Sequence, residues 1–473
     1  MERSMDAMVP GFIRDLRLDD LPPSVVRQAG RCLRDLIAVA VGGSTTDLSR
    51  IVRDHAARHL RSESGGARML FDGRRVSQLG AALAGGTTID SLDGHDGHAL
   101  TKGHAGVALL PALLAWADAR HGISRRRLVT GLVVGYEVAI RSGLALHATA
   151  ADYHSSGAWN AVGCAAVGAH LLGLDEARTR HALGIAEYQA PRGPMMRGID
   201  HPTMLKDGSG HGAMVGVGAT LLAAEGFTGA PAMTVEDADA GVRTLWADLG
   251  TRWRILEQYF KPYPVCAWSH PAIEAALALR RRHGLVPAAI RQVVVTTFPE
   301  AVRLGMRRPR TTEEAQYSLP FALAAALVQG GVGGAEVGAD ALSDPEILRV
   351  SGSVSLVESD SYAQRFPAER WAHVTVVGAN GGRMTSEPTC ARGGPDHPLG
   401  EGELVAKYRS ATVPVLGTDR SVRIEAAVGD LADDDRAAAA SLLDDLLEAV
   451  PDSSAPAPSS STHRMHQREA RPL

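Results

Sequence analysis

Residues 90–104 read Asp-Ser-Leu-Asp-Gly-His-Asp-Gly-His-Ala-Leu-Thr-Lys-Gly-His. Three carboxylates (Asp90, Asp93, Asp96), three histidines (His95, His98, His104) and Lys102 share this stretch, and alanine- and leucine-rich segments flank it. Those flanks predict helices from Val76 to Asp90 and from Val107 to Arg120, apolar enough to be buried. The polar run is therefore a loop inside a helical body. Charge beside a core costs free energy unless every group is paired, so a density of this kind points to chemistry rather than stability.

Working outward, helical spacing continues on both sides. Leu21-Pro-Pro-Ser24 opens a helix that carries Val25, Val26, Ala29, Cys32, Leu33, Leu36 and Ile37 on one face and stops at Gly42-Gly43. Leu48 to Leu60 predicts another, and Ser124 caps one running to about Ser142. Ala158 to Leu172 and Gly212 to Glu225 are dominated by small residues, which let helix backbones approach closely. No alternating strand is evident before about residue 260, so the first half reads as all-helical. Beyond it, Pro271 to His283 is helical, whereas Ile290 to Thr297, Ser353 to Val357 and His373 to Val377 are strand-like, the last running into an Asn380-Gly381 turn and Arg383 to Glu387. Glu401 to Ser410 and Ala432 to Val450 return to helix.

The fold class expected is mainly α. A large helical domain spans residues 1–264, an inserted smaller α+β domain spans 265–398, and helices over 399–450 return to the first domain. Residues 451–473 are rich in Ser, Pro and Ala without apolar periodicity and read as a disordered tail.

Composition narrows the function. A formal net charge of -4, with no basic run interleaved with aromatics, argues against nucleic acid. No leader pattern and no run of eighteen apolar residues occurs, so no membrane partner is expected and a cytoplasmic location is the default. Four cysteines without Cys-x-x-Cys spacing suggest neither disulfides nor a cysteine zinc site. Only four of 49 basic residues are lysine: Lys102, Lys206, Lys261 and Lys407. A chain that otherwise prefers arginine places a compact, titratable cation at these positions.

Three of those lysines fall in polar clusters. Besides the opening stretch these clusters are His154 in Tyr153-His-Ser-Ser-Gly157, Lys206 with His211, Lys261-Pro-Tyr263-Pro through His270, and Glu314-Ala-Gln-Tyr317-Ser-Leu-Pro-Phe321. Each sits where a loop enters an apolar helix, so they can converge on one cleft that suits an anion. The spacing of Asp93, His95, Asp96, His98 and His104 matches neither His-Glu-x-x-His nor His-x-His-x-Asp-His, which ranks a metal site below acid/base chemistry. A bland polar loop is the other alternative. Gly208-Ser-Gly-His-Gly212 follows no strand and is no dinucleotide fingerprint, and Tyr153-His-Ser-Ser-Gly157 is no hydrolase elbow.

Taken in order, these clusters resemble the MmgE/PrpD family, which includes 2-methylcitrate dehydratase, cis-aconitate decarboxylase and iminodisuccinate epimerase. The resemblance spans residues 10–450. It rests on the Leu-Pro-Pro-Ser-Val-Val opening, Leu92-Asp93 through His104-Ala-Gly106, Gly135-Tyr-Glu137, His154, Lys206, Gly226-Phe-Thr-Gly229, Lys261-Pro-Tyr-Pro, His270-Pro-Ala-Ile, Glu314-Ala-Gln-Tyr-Ser, and Gly394-Pro-Asp-His-Pro-Leu ahead of Lys407. It implies a helical domain and a lid with the active site between them, in homodimers that need no metal or other cofactor. It also implies catalytic roles for Asp93, His104, His154, Lys206 and His270. His95, Asp96, His98, Lys102, His211, Lys261, Tyr263, Tyr317 and Phe321 are the expected substrate-binding residues.

Two positions depart from the decarboxylase pattern. Asp96-Gly97 stands where those enzymes have Asp-Thr, with one extra residue before His104, and Phe321 falls where they use a tyrosine. The expected reaction is therefore dehydration of a di- or tricarboxylic acid by proton abstraction α to a carboxylate. An epimerase or isomerase, a cis-aconitate-type decarboxylase, and a non-catalytic binding protein are the alternatives.

Overall fold

The computed structural model describes residues 5–63, 65–237, 239–429 and 436–451. From residue 452 on, the tail expected to be disordered lies outside the described residues. The chain builds two hydrophobic cores. One gathers residues from Val9 to Phe260 and again from Leu399 to Leu447, and the other runs chiefly from Val265 to Val376, joined by Met195 and Ile199.

The first core is helical. Pro23–Gly43, Gln78–Asp90, Gly106–Ala119, Arg125–Thr149, Gly157–Leu172 and Ser209–Ala224 are its main helices. Side-chain caps start several of them: Ser77 accepts from Gly80 N and Ser124 from Arg127 N, each satisfying a first-turn amide. The small-residue helices meet backbone to backbone. A Cβ at Gly86 would lie 2.8 Å from Gly210 Cα, so any larger residue there would push Gln78–Asp90 off Ser209–Ala224. Arg125–Thr149 has the length and apolarity of a membrane span but is packed inside this core.

The first half is not wholly helical, which corrects the sequence reading. Ala67–Arg68 pairs with Arg75–Val76, and Gly97–His98 pairs antiparallel with Gln258–Tyr259. Two-residue ladders are too short to show alternation, and the second joins segments 160 residues apart. That pairing lays Tyr259 against the polar loop.

The second core packs on a mixed sheet in the order Val354–Glu358, Ile290–Thr297, Trp371–Gly378, Arg383–Thr385. The first pair is parallel and the rest antiparallel. Val293, Val295, Ala372, Val374 and Val376 are fully buried on one face, beside the helices His270–His283 and Leu319–Gln329. Glu401–Leu416 then returns to Pro23–Gly43, where the Lys407 ammonium donates to Asp35 and, at 2.6 Å, to the Gly94 carbonyl. The fourth lysine thus braces the polar loop from behind. The helix Thr418–Gly429 has no counterpart in the sequence reading.

Candidate active site

The polar loop leaves Gln78–Asp90 at Ser91 and folds back on itself, with His98 N donating to Gly103 O at 2.8 Å. Lys102 closes the bend at φ 50°, and Lys206 has the same left-handed φ. Residues with a Cβ rarely hold that conformation, and where they do, they cluster at functional sites.

Asp93 is the buried centre. Its carboxylate pairs with the Lys261 ammonium, which also donates to the Asp93 carbonyl at 3.1 Å. Its amide donates to Gln316 Oε1 at 2.8 Å, and the same oxygen accepts from Lys206 Nζ at 2.7 Å. Burial alone would raise the Asp93 pKa, but the charge of Lys261 and the other basic groups around it carries it well below the usual carboxylate range. Burial likewise works against the Lys261 charge, and Asp93, with Tyr259 and Cys266 behind it, more than restores it. Asp93 and Lys261 therefore stand as a fully ionised pair at neutral pH.

His104 faces this pair, with Nε2 3.8 Å from Asp93 Oδ1. Its Nδ1 lies 2.7 Å from the Asp96 carbonyl oxygen. A carbonyl can only accept, so Nδ1 carries the proton and Nε2 is left with a bare lone pair. Burial, then the Lys261 charge, hold its pKa well below the ordinary 6.5 and keep the ring neutral. The backbone is fixed as tightly: His104 N donates to Ser156 Oγ at 3.0 Å, and Asn160 Nδ2 donates to His104 O at 2.9 Å. His95 packs edge-on to His104 at 4.5 Å between centroids, and burial followed by Lys261 lowers its pKa to about 3.

A narrow cavity opens beside these groups. Asp93, Lys102, His104, Lys261 and Tyr317 line it, all singled out from the sequence. Tyr153, Asp207, Tyr259 and Arg370 line it as well and were not. Asp207 Oδ2 accepts from Ser156 Oγ at 2.7 Å while its buried Oδ1 has no partner. Burial, and next the neighbouring Asp90, raise its pKa above the usual carboxyl range. Asp90 is raised as well, mainly by burial.

The other candidate residues take different places. Lys206 reaches Gln316 and stacks over the Tyr317 ring at 4.8 Å, behind the cavity wall. His270 donates from Nε2 to Val265 O at 3.1 Å and borders an adjoining pocket with Tyr259 and Arg370; burial and then Lys261 lower its pKa to about 3. Asp96 accepts from the Tyr136 hydroxyl at 2.8 Å and is pushed up to about 8, by burial and then by Asp35. Five residues expected in the same cleft do not line this cavity. His154 turns Nδ1 to the Asp152 carbonyl at 2.7 Å. His98 uses both nitrogens, on Glu257 and on the Thr101 amide. His211 is exposed on its helix. Tyr263 stands by Glu274. Phe321 is fully buried in the sheet-bearing core.

The MmgE/PrpD N-terminal domain model matches residues 10–248, and the MmgE/PrpD C-terminal domain model matches residues 263–433. The chain belongs to the MmgE/PrpD family. The two matched regions meet between 248 and 263, where the chain passes from the helical core to the sheet-bearing one. Among relatives of this MmgE/PrpD chain is the cis-aconitate decarboxylase-like protein oryM of Aspergillus oryzae, 25% identical over 463 residues, covering 90% of this chain and 94% of that protein. A cis-aconitate decarboxylase of Aspergillus terreus is 25% identical over 450 residues, covering 87% and 90% respectively.

The residues missed in the sequence had little to announce them. Asp207 follows Lys206 directly and reads as its neighbour. Arg370 is one arginine among dozens, and Tyr259 reaches the loop only through the two-residue ladder.

Proposed function

We propose that this protein is a lyase that removes a proton α to a carboxylate of a di- or tricarboxylic acid, acting as a hydro-lyase. The observation that supports this most is the state of His104: a neutral ring, its tautomer fixed, with a bare Nε2 on a residue that lines a cavity also holding cations. That is what a general base requires, and such a base accelerates proton abstraction by roughly 10²- to 10⁴-fold. Lys261, paired with Asp93, places an ammonium beside the carbon that becomes enolate-like, where fixed charge in a dry site is most effective. Lys102 offers a carboxylate anchor.

The balance of the step is simple. His104 takes the α-proton, the electron pair forms the alkene, and the β-hydroxyl leaves as water with a proton from Asp207. The raised pKa of Asp207 keeps a carboxyl proton available there at a pH where an ordinary aspartate has lost it.

Decarboxylation is the second reading, favoured by the names of the relatives. In that reaction the bond to a carboxylate carbon breaks, and the carbon left behind gains a proton. One feature of the loop disfavours it. A Cβ at Gly97 would lie 2.5 Å from Tyr259 Oη and 2.7 Å from His104 Nδ1, so the threonine of the decarboxylase pattern would require the Tyr259 or His104 side chain to shift.

Incubation with 2-methylcitrate, citrate, cis-aconitate and iminodisuccinate in D₂O, followed by NMR, separates the readings. A new alkene signal from a hydroxy acid supports the hydro-lyase. Carbon dioxide release supports the decarboxylase, deuterium uptake without an alkene supports an epimerase, and no change in any acid counts against all three.

A further inference from the structure

Arg370 is 6% exposed, its Nε is buried without a hydrogen-bond partner, and no carboxylate of the described residues forms an ion pair with it. An unpartnered buried nitrogen is not peculiar to Arg370, since Arg141 and Arg254 also have them; what differs is the counter-charge, which Glu137 and Asp248 give Arg141 and Asp248 and Glu257 give Arg254, while carbonyls surround Arg420. Arg370 instead lies over a ring face, that of Tyr259, 4.8 Å from the guanidinium carbon. A permanently charged guanidinium set in a cavity wall with no counter-charge is an unfavourable arrangement unless an anion completes it.

The surroundings say where that anion sits. Arg370 immediately precedes the strand Trp371–Gly378 of the second core, and its carbonyl is held by Ala391 N at 2.9 Å, so the side chain starts from a fixed backbone. Tyr259 comes from the ladder with Gly97–His98, on the polar-loop side. Arg370, Tyr259, Asp93 and His104 line the same cavity. Lys102 lines it too, forms no ion pair with a described carboxylate, and lies over the Tyr153 ring at 4.3 Å. The cavity thus presents two cations laid on tyrosine faces with no described carboxylate within ion-pair distance, in addition to the Lys261 that Asp93 neutralises.

We infer that Arg370 binds a second substrate carboxylate, remote from the one on Lys102, and thereby selects acids with carboxylates at both ends. The inference rests on the lyase reading above and adds to it the residue that receives the far carboxylate. A guanidinium fork matches a carboxylate in two parallel hydrogen bonds, which fixes orientation as well as affinity. Because Arg370 belongs to the second core and His104 to the first, an acid held at both ends also ties the two cores together around the reacting carbon.

The test is calorimetric binding of propane-1,2,3-tricarboxylate and of its monoamide with one terminal carboxylate neutralised, to wild type, Arg370→Gln and Arg370→Lys. Inorganic phosphate serves as a third probe. The expected result is that Arg370→Gln weakens the tricarboxylate about 10- to 100-fold and the monoamide less than threefold, with partial recovery in Arg370→Lys. Without ligand, Arg370→Gln should melt at or above the wild-type temperature, because an uncompensated buried charge has been removed, whereas loss of a structural arginine lowers it. Equal losses for both acids, no loss at all, or phosphate binding as tightly as the tricarboxylate would overturn the inference. Wild type binding neither acid defeats the lyase reading along with it. Wild type binding both acids equally well defeats the role of Arg370 alone.

Discussion

Replacing Asp93 by Asn removes the charge on which the site is balanced and leaves Lys261, 1% exposed, as a buried ammonium with no counter-charge. Breaking a buried pair by removing one partner costs about 3–5 kcal/mol, because the surviving ion stays desolvated. The asparagine can still accept one hydrogen bond from Lys261, which places the expected loss toward the lower end, about 3 kcal/mol. Replacing both partners, Asp93→Asn with Lys261→Met, removes the stranded ion and should recover most of that loss, although neither variant turns over substrate. Urea unfolding followed by far-ultraviolet circular dichroism gives the three stabilities. The reasoning fails if Asp93→Asn lies within about 1 kcal/mol of wild type, or if the double variant is no more stable than the single one.

Other consequences follow from named groups. His104→Gln should lower kcat about 10²- to 10⁴-fold and leave KM within a few-fold, measured as product formation by NMR. In wild type, the depressed His104 pKa keeps the base neutral in mild acid, so the acid limb of kcat/KM should fall below pH 6.5, the ordinary imidazole value; a midpoint at or above it contradicts the assignment. Asp96 has its pKa raised from 3.8 to about 8, so the folded state holds a proton that the unfolded chain releases, and the stability linked to it is full below 3.8 and lost as pH rises through about 8. Asp96→Asn escapes that loss, and its stability relative to wild type should rise by about 1.4 kcal/mol per pH unit between pH 5 and 7 in urea titrations. Gly97→Ala places a methyl 2.5 Å from Tyr259 Oη and 2.7 Å from His104 Nδ1 and should cost about 1–3 kcal/mol together with most of the activity. A fully active, equally stable Gly97→Ala would mean that the Tyr259 hydroxyl does not need that space.

The sequence made the helical body legible because its signals are local. Leu48 to Leu60, Ala158 to Leu172 and Pro271 to His283 carry period and caps within a dozen residues, and the strand Ile290–Thr297 shows β-branching along its whole length. The polar loop was legible for the same reason, since titratable groups are dense there against an apolar background. Convergence was not local. Asp93 meets Lys261 across 168 positions and Gln316 across 223; loops entering apolar helices pointed to a shared cleft, but not to these pairings within it. Polar character alone does not say which way a side chain faces: His98 and His154 have the composition of site residues but spend their ring nitrogens on Glu257, the Thr101 amide and the Asp152 carbonyl. Arg370 and Tyr259 are ordinary residue types in unremarkable contexts. Their importance comes from burial and from missing partners, which no linear pattern records.

A structure of the protein with bound propane-1,2,3-tricarboxylate tests the central claim most directly. The account predicts one terminal carboxylate on the Arg370 guanidinium, another on Lys102, and a chain carbon about 3–3.5 Å from His104 Nε2, the spacing of a near-attack geometry. An acid seated away from His104, or a His104 ring turned so that Nε2 rather than Nδ1 meets the Asp96 carbonyl, would contradict it.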